Sequence, residues 1–174
     1  MPVPQDGRHI ANQEGSFVPQ HGNNWLLEVA DLVGADDRDL IFLSLVSFEL
    51  PKESSEEIEL RYGNEIRYVA GQNEYEAIPL IVRDYVDRAV RNAMVEWRRQ
   101  VYDPLTGNVG LPTNYKKTGN VILQATDGTF LRNVRLIGLW PQALNAGTLS
   151  MDSAEPVQIE ATMRYDRIEW SGLA

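Results

Sequence analysis

The clearest pattern lies near the end of the chain, in "PVQIEATMRYD". Val157, Ile159, Ala161, Met163 and Tyr165 fall on one side, and Gln158, Glu160, Thr162, Arg164 and Asp166 on the other. A period of two predicts a strand with one face on a core and one in solvent. "LIFLSLVSFELP", residues 40–51, shows no alternation and is dense in Leu, Ile, Val and Phe. It reads as a strand covered on both faces, at least in its first half, and ended by Pro51. A first strand begins in "NNWLLEVADL", and "GADDRD", residues 34–39, turns the chain. "IELRYGNEIRYVAG" sets Ile58, Leu60 and Tyr62 against Glu59 and Arg61, and resumes with Ile66 and Tyr68 after Gly63-Asn64. That break predicts a tight hairpin or a bulge. The preceding "KESSEE" reads as a charged connector, and a short strand is expected around Tyr75 to Leu80. "NVILQATDGTFLRNVRLIGLW" predicts two strands around a Thr126-Asp127-Gly128 turn. The second should stop at Trp140, because Pro141 cannot continue a ladder, and a chemically plain loop should lead to the last strand near Pro156.

One segment has a different period. Val86, Val90, Ala93, Met94, Trp97 and Val101 recur in steps of three and four, a stripe on one helix. Asp84 is the expected cap, Asp87 suits the first turn, and Arg98 and Arg99 suit the last. "DPLTGNVGLPTNYKKTG", residues 103–119, reads as a long loop. Residues 1–22 are polar, hold Pro2, Pro4 and Pro19, and lack periodicity; they are expected to be a flexible N-terminal arm before a domain over 23–174. The elements add up to an α+β chain: a mostly antiparallel β-barrel or sandwich with one flanking α-helix.

Composition narrows what such a domain can do. Of 174 residues, 43% are hydrophobic and 24% charged, the balance of a globular protein with a real core. No apolar run approaches the ~20 residues of a membrane-crossing helix, and the opening residues lack the apolar stretch of a secretory signal. There are no cysteines, so thiolate chemistry and disulfides are absent, in keeping with a reducing cytosol. The formal charge is −9, with 15 of 25 acids but only 5 of 16 bases in residues 1–80. A nucleic-acid binder needs a basic stripe, which this chain lacks.

Candidate chemistry is thin. His9 and His21 lie in the polar arm without a neighbouring nucleophile. "DDRD" lacks the glycine and distal glutamate of a calcium loop, and "GNVG" lacks the Lys-Ser/Thr of a phosphate loop. Trp97 belongs to the helix stripe and Trp140 closes a strand, while Trp25 and Trp170 suit an interface or a core plug equally. Nothing here predicts an enzyme, a metal or a cofactor. The strands themselves are the more telling feature, because one helix covers only part of their apolar surface and free edges invite pairing with copies of the same chain.

The succession of the strand "IFLSLVSFELP", the hairpin "IELRYGNEIRYVAG" and the helix end "VEWRRQVYDPLTG", then "NYKKTGNVILQATDGTFLRNVRLIGLWPQAL" and "EPVQIEATMRYDRIEW", resembles the tail tube proteins of contractile-tailed bacteriophages. It is more distantly similar to the haemolysin-coregulated proteins of type VI secretion inner tubes. The resemblance spans Trp25 to Trp170 and implies hexameric rings stacked into a hollow tube, strands of all copies joining in one barrel around a lumen. The implied location is the virion tail, after synthesis in the host cytoplasm. The implied partners are sister subunits, a surrounding sheath, a baseplate hub and a tape-measure protein, with DNA passing through unbound. Carried over by position, Glu59, Arg61, Gln158, Glu160, Thr162 and Arg164 become lumen candidates. Lys52, Glu53, Ser54, Ser55, Glu56 and Glu57 become the loop that reaches neighbouring subunits or rings. By the helical spacing above, independently of the resemblance, Val86, Val90, Met94 and Trp97 are the helix's expected core face. An acid-rich lumen would keep DNA from adhering. Two alternatives stay open: the inner tube of a type VI or other contractile injection system carrying protein effectors, and, from a different class, a monomeric binding module.

Overall fold

A computed structural model describes residues 22–30, 32, 44–86, 90–125, 128–152 and 154–171. The N-terminal arm up to residue 21, both histidines, the 34–39 turn, residues 40–43 of the apolar run, Asp87 and Thr126-Asp127 lie outside the described residues.

The strands are β1 (Trp25–Val29), β2 (Leu45–Phe48), β3 (Glu53–Tyr62), β4 (Glu65–Tyr75), β5 (Ile78–Arg83), β6 (Lys117–Gln124), β7 (Phe130–Asn145), β8 (Gln158–Arg164) and β9 (Arg167–Ser171). Helix α1 (Val90–Val101) and the single turn α2 (Pro112–Tyr115) lie between β5 and β6. Every strand pair is antiparallel. Seven strands form one sheet in the order β1-β6-β7-β8-β5-β2, with β9 on β7; β3 and β4 pair only with each other. Among the described residues the sheet is open and does not close into a barrel.

Two long ribbons generate this order. In the first, β2 followed by β3 runs against β4 followed by β5. The offset of Phe48↔Leu80 is also that of Glu53↔Tyr75, so the two pairs are one hairpin whose far half leaves the sheet. Gly63, at φ +61°, turns its tip, a conformation cheap for glycine. In the second ribbon, β7 runs against β8 and then β9, and Trp140↔Arg164 keeps the offset of Ile137↔Arg167. The ribbons meet where β5 pairs β8. One half of the sheet is therefore β1-β6-β7-β9, and the other is β2-β5-β8 with the last third of β7.

The core fills the inner face of both halves. Leu27, Val121, Val134, Leu136, Ile159, Met163, Ile78, Leu80 and Val82 are buried there, under Val90, Met94 and Trp97 of α1. Burying each large side chain is worth roughly 1.5–3 kcal/mol, far more than the intrinsic preferences of a twelve-residue helix. Trp97 is fully buried, and its Nε1–H donates to the Tyr115 carbonyl at 2.8 Å.

Several expectations are corrected. β7 does not stop at Trp140; it runs through Pro141 to Asn145. Pairing with β6 ends at Leu139, so beyond it β7 has one open side, and a register shift between Pro141 and Ala143 absorbs the proline. Residues 53–57 are not a connector but the first half of β3, paired to β4. Val86 is not on the helix's core face: it sits exposed in a turn ahead of the helix. Asp84 precedes that turn and pairs with Arg91 at 2.9 Å; the residues 87–89 at which a cap would act lie outside the described residues. The 103–119 loop is largely structured. Tyr102 bridges Val109, α2 follows, and Lys117 already belongs to β6.

Candidate functional site: two open edges, a polar face and an arm

The half-sheet β7-β8-β5-β2 ends in an open edge on each side among the described residues: β2 on one and residues 140–145 of β7 on the other. Each open edge presents unpaired backbone donors and acceptors. Because the pairs alternate in direction, β2 runs antiparallel to β7. The β2 edge of one copy can therefore continue onto the β7 edge of the next without breaking the antiparallel pattern.

The outer face of this half-sheet is polar. Gln158, Glu160, Thr162 and Arg164 share it along β8, opposite buried Ile159, Ala161 and Met163. Register places Arg83 beside Gln158 and Asn145 beside Glu160. Arg164 donates to Gln142 Oε1 at 3.0 Å and to the Tyr75 carbonyl at 3.2 Å. Glu160 accepts from Asn145 Nδ2 at 3.4 Å. Glu59 and Arg61 are not on this face; they pair with each other on β3 in the two-stranded sheet. The six sequence candidates therefore do not make one surface within a chain. On β8 and β5 the charged outward side chains are Arg83 and Arg164 against Glu160, so the excess of acid expected for a lumen is not found here.

That acid lies on the arm formed by β3 and β4. Residues 53–75 hold Glu53, Glu56, Glu57, Glu59, Glu65 and Glu74 against Arg61 and Arg67. Its two faces differ: Ile58/Val69, Leu60/Arg67 and Tyr62/Glu65 lie on one, Glu57/Ala70, Glu59/Tyr68 and Arg61/Ile66 on the other. Ile58, Tyr62, Ile66, Tyr68 and Val69 are all exposed. The root is clamped to the second ribbon. Tyr165 donates its hydroxyl to the Lys52 carbonyl at 3.3 Å, its ring lies 5.6 Å from that of Tyr75, and Trp170 Nε1 donates to Glu53 at 3.1 Å. Burial pushes the Tyr165 phenol above its usual range, which keeps it a donor. Lys52 pairs with Glu49 at 2.6 Å, a contact that raises its amine.

An open groove of about 960 Å³ follows the end of β7, lined by Leu149, Met151, Glu155, Gln158 and Glu160 among others. Among the described residues no cluster of three or more His, Asp or Glu stands ready for a metal, and no helix is long and apolar enough to cross a membrane.

No family model matches the sequence, and no curated protein is similar to it in sequence. Solved structures are similar in fold. The anti-feeding prophage cap, described as its tube-terminating cap, contains a chain that superposes with TM-score 0.71 at 19% identity, over 92% of this chain and 95% of that one. This is the tail-tube-like fold of contractile injection systems. A chain in the sheath/tube terminator of the PVC extracellular contractile injection system, in the extended state, gives 0.69 at 18% identity, covering 88% of this chain and 96% of that one. A chain in the extended PVC sheath-tube complex gives 0.64 at 18% identity, covering 95% and 97%. This chain thus shares its tail-tube-like architecture with chains of these assemblies at a sequence distance where only the fold carries over.

Proposed function

We propose that this protein is the tube subunit of a contractile injection apparatus, forming rings of six that stack into a hollow conduit inside a sheath. The observation that carries this reading is the antiparallel half-sheet with an open edge on each side. The two edges are different surfaces, so pairing one to the other is head-to-tail, and such contacts close into rings when the rotation allows. A closed ring leaves no free edge, which is how barrels remove the hazard of exposed strands. In that ring the face bearing Gln158, Glu160, Thr162, Arg164 and Arg83 looks into the bore, while α1 lies on the far side of the sheet. The arm, with Glu59 and Arg61, reaches sister subunits. Sheath and baseplate are the expected partners because the similar structures are named for sheath–tube assemblies.

Passage of DNA through a phage tail is the weaker form of the proposal. The bore face has no surplus of carboxylates to repel phosphates, and two of the three similar structures are named for an extracellular contractile injection system. A tube-terminating ring is the second reading, favoured by the superposition on a tube-terminating cap. Negative-stain microscopy of concentrated protein separates them: long tubes support the tube subunit, and single rings that never stack support the terminator. A compact monomer at every concentration by light scattering contradicts both.

A further inference from the structure

On the outer face of the half-sheet the charges are sorted by level. At one end Arg83 stands beside Gln158, with Glu160 on the next outward row and Glu155 along the same groove as Glu160. At the other end stands Arg164, four residues beyond Glu160 and so about 13 Å along the strand. Its guanidinium is held at two points. Nε donates to Gln142 Oε1 at 3.0 Å, and Nη1 donates to the Tyr75 carbonyl at 3.2 Å. Both acceptors are neutral, and among the described residues no carboxylate pairs with Arg164. The charge is therefore fixed in place without being cancelled. The two bonds use Nε and Nη1 and leave the Nη2 hydrogens for an acceptor outside the subunit.

In a ring closed edge to edge, Arg164 of every copy lies at one level of the bore. We infer that these guanidinium groups form a belt that takes the carboxylates of an acidic polypeptide carried in the tube. The inference rests on the tube reading above, which turns this face toward the bore. Glu160 decides between polypeptide and nucleic acid. A duplex carries a negative charge for about every 1.7 Å of its axis, so phosphates that reach Arg164 also run over Glu160 and are repelled there. A polypeptide can set a carboxylate against Arg164 and a lysine or arginine against Glu160. Each exposed pair is weak alone, so a passenger is held by several copies at once and leaves without a single strong bond to break.

The experiment encloses a probe during assembly. Tubes of the full chain are assembled with a fluorescein-labelled Glu-rich peptide that also carries Lys, with its Lys-rich counterpart, or with short duplex DNA. They are then sedimented and washed, and the retained dye is measured. The same probes added after assembly report the outer surface and are subtracted. Wild-type tubes should retain the Glu-rich peptide roughly threefold or more over the Lys-rich one, and high salt during assembly should erase the difference. Arg164→Gln should remove the preference, whereas Arg164→Lys, which keeps the charge, should keep most of it. Arg99→Gln, on α1 at the far side of the sheet, should leave it unchanged. If pure Arg164→Gln chains do not assemble, tubes mixed with wild type should lose the preference as the variant's share rises. Wild-type tubes without the preference, DNA retained as strongly as the Glu-rich peptide, or a preference that survives Arg164→Gln overturns the belt while leaving the tube intact. Wild-type protein that forms no tubes at all overturns the tube reading itself.

Discussion

The two halves of the first ribbon make a controlled comparison. β2 with β5 and β3 with β4 are parts of one hairpin in one register. Yet β5 alternates buried Ile78, Leu80 and Val82 with outward Pro79 and Arg83, whereas β3 and β4 are exposed along nearly their whole length. Backbone pairing is the same in both, so it is not what decides stability. A two-stranded ribbon without a core is marginal in water, and this one persists because Tyr165, Arg164 and Trp170 hold its root. The body half buries a core, and the arm half leaves most of its side chains in solvent.

The largest effect that sharpens this contrast is in the core. Leu80→Ala should cost about 2–5 kcal/mol in chemical denaturation, while Leu60→Ala on the arm should change stability by no more than about 0.5 kcal/mol. Equal losses would mean that the arm folds as part of the body. Gly138→Ala comes next, at about 1–3 kcal/mol. Gly138 has φ +72°, and a Cβ there would run into the Asp166 carboxylate, so the crossing of β7 with the β8–β9 junction should loosen. In hydrogen exchange, amides of β5 and β8 should open only with global unfolding, and arm amides beyond residue 55 should exchange much faster in the free subunit. Assembly should slow them.

The smallest effect concerns pH. Hydrogen bonds from the Leu105 amide and the Thr106 hydroxyl hold the Asp103 carboxyl below its ordinary value. A depressed carboxylate contributes stability that is present above its unfolded value and lost as pH falls through the folded one. The loop after α1, where Asp103 accepts from the Leu105 amide and the Thr106 hydroxyl, should therefore keep its geometry down through mildly acidic conditions. It should loosen only in stronger acid, seen as a shift of the Leu105 amide signal ahead of global unfolding.

Much of the fold was legible because burial imposes period two on strands and 3.6 on helices. The alternation from Val157 to Tyr165 marks β8, and Val90, Met94 and Trp97 mark α1. What was misread followed from rules that tertiary context overrides. Pro141 looked like a stop, but at an open edge with a register shift it sits inside a strand. Residues 53–57 looked like a connector because they are all polar, and a strand with no buried face has no reason to alternate. Conversely, Ile58, Leu60 and Tyr62 alternate as core strands do, yet Ile58 and Tyr62 are exposed and Leu60 is only half-buried. Val86 fits the helical spacing by coincidence, since the chain turns before the helix begins. The pairing of strand edges is invisible to any one-dimensional pattern.

The open edges can be tested directly because the chain has no cysteine of its own. Ser47→Cys on β2 combined with Ala143→Cys on β7 places thiols three strands apart, about 14 Å, too far for a bond within one molecule. Oxidation of concentrated protein, with Val46→Cys and Gln142→Cys as neighbouring positions to allow for register, should give a covalent ladder ending in a closed ring of six. Material that remains monomeric under oxidation at every position, while the single-cysteine controls behave identically, would contradict the claim that these edges find each other.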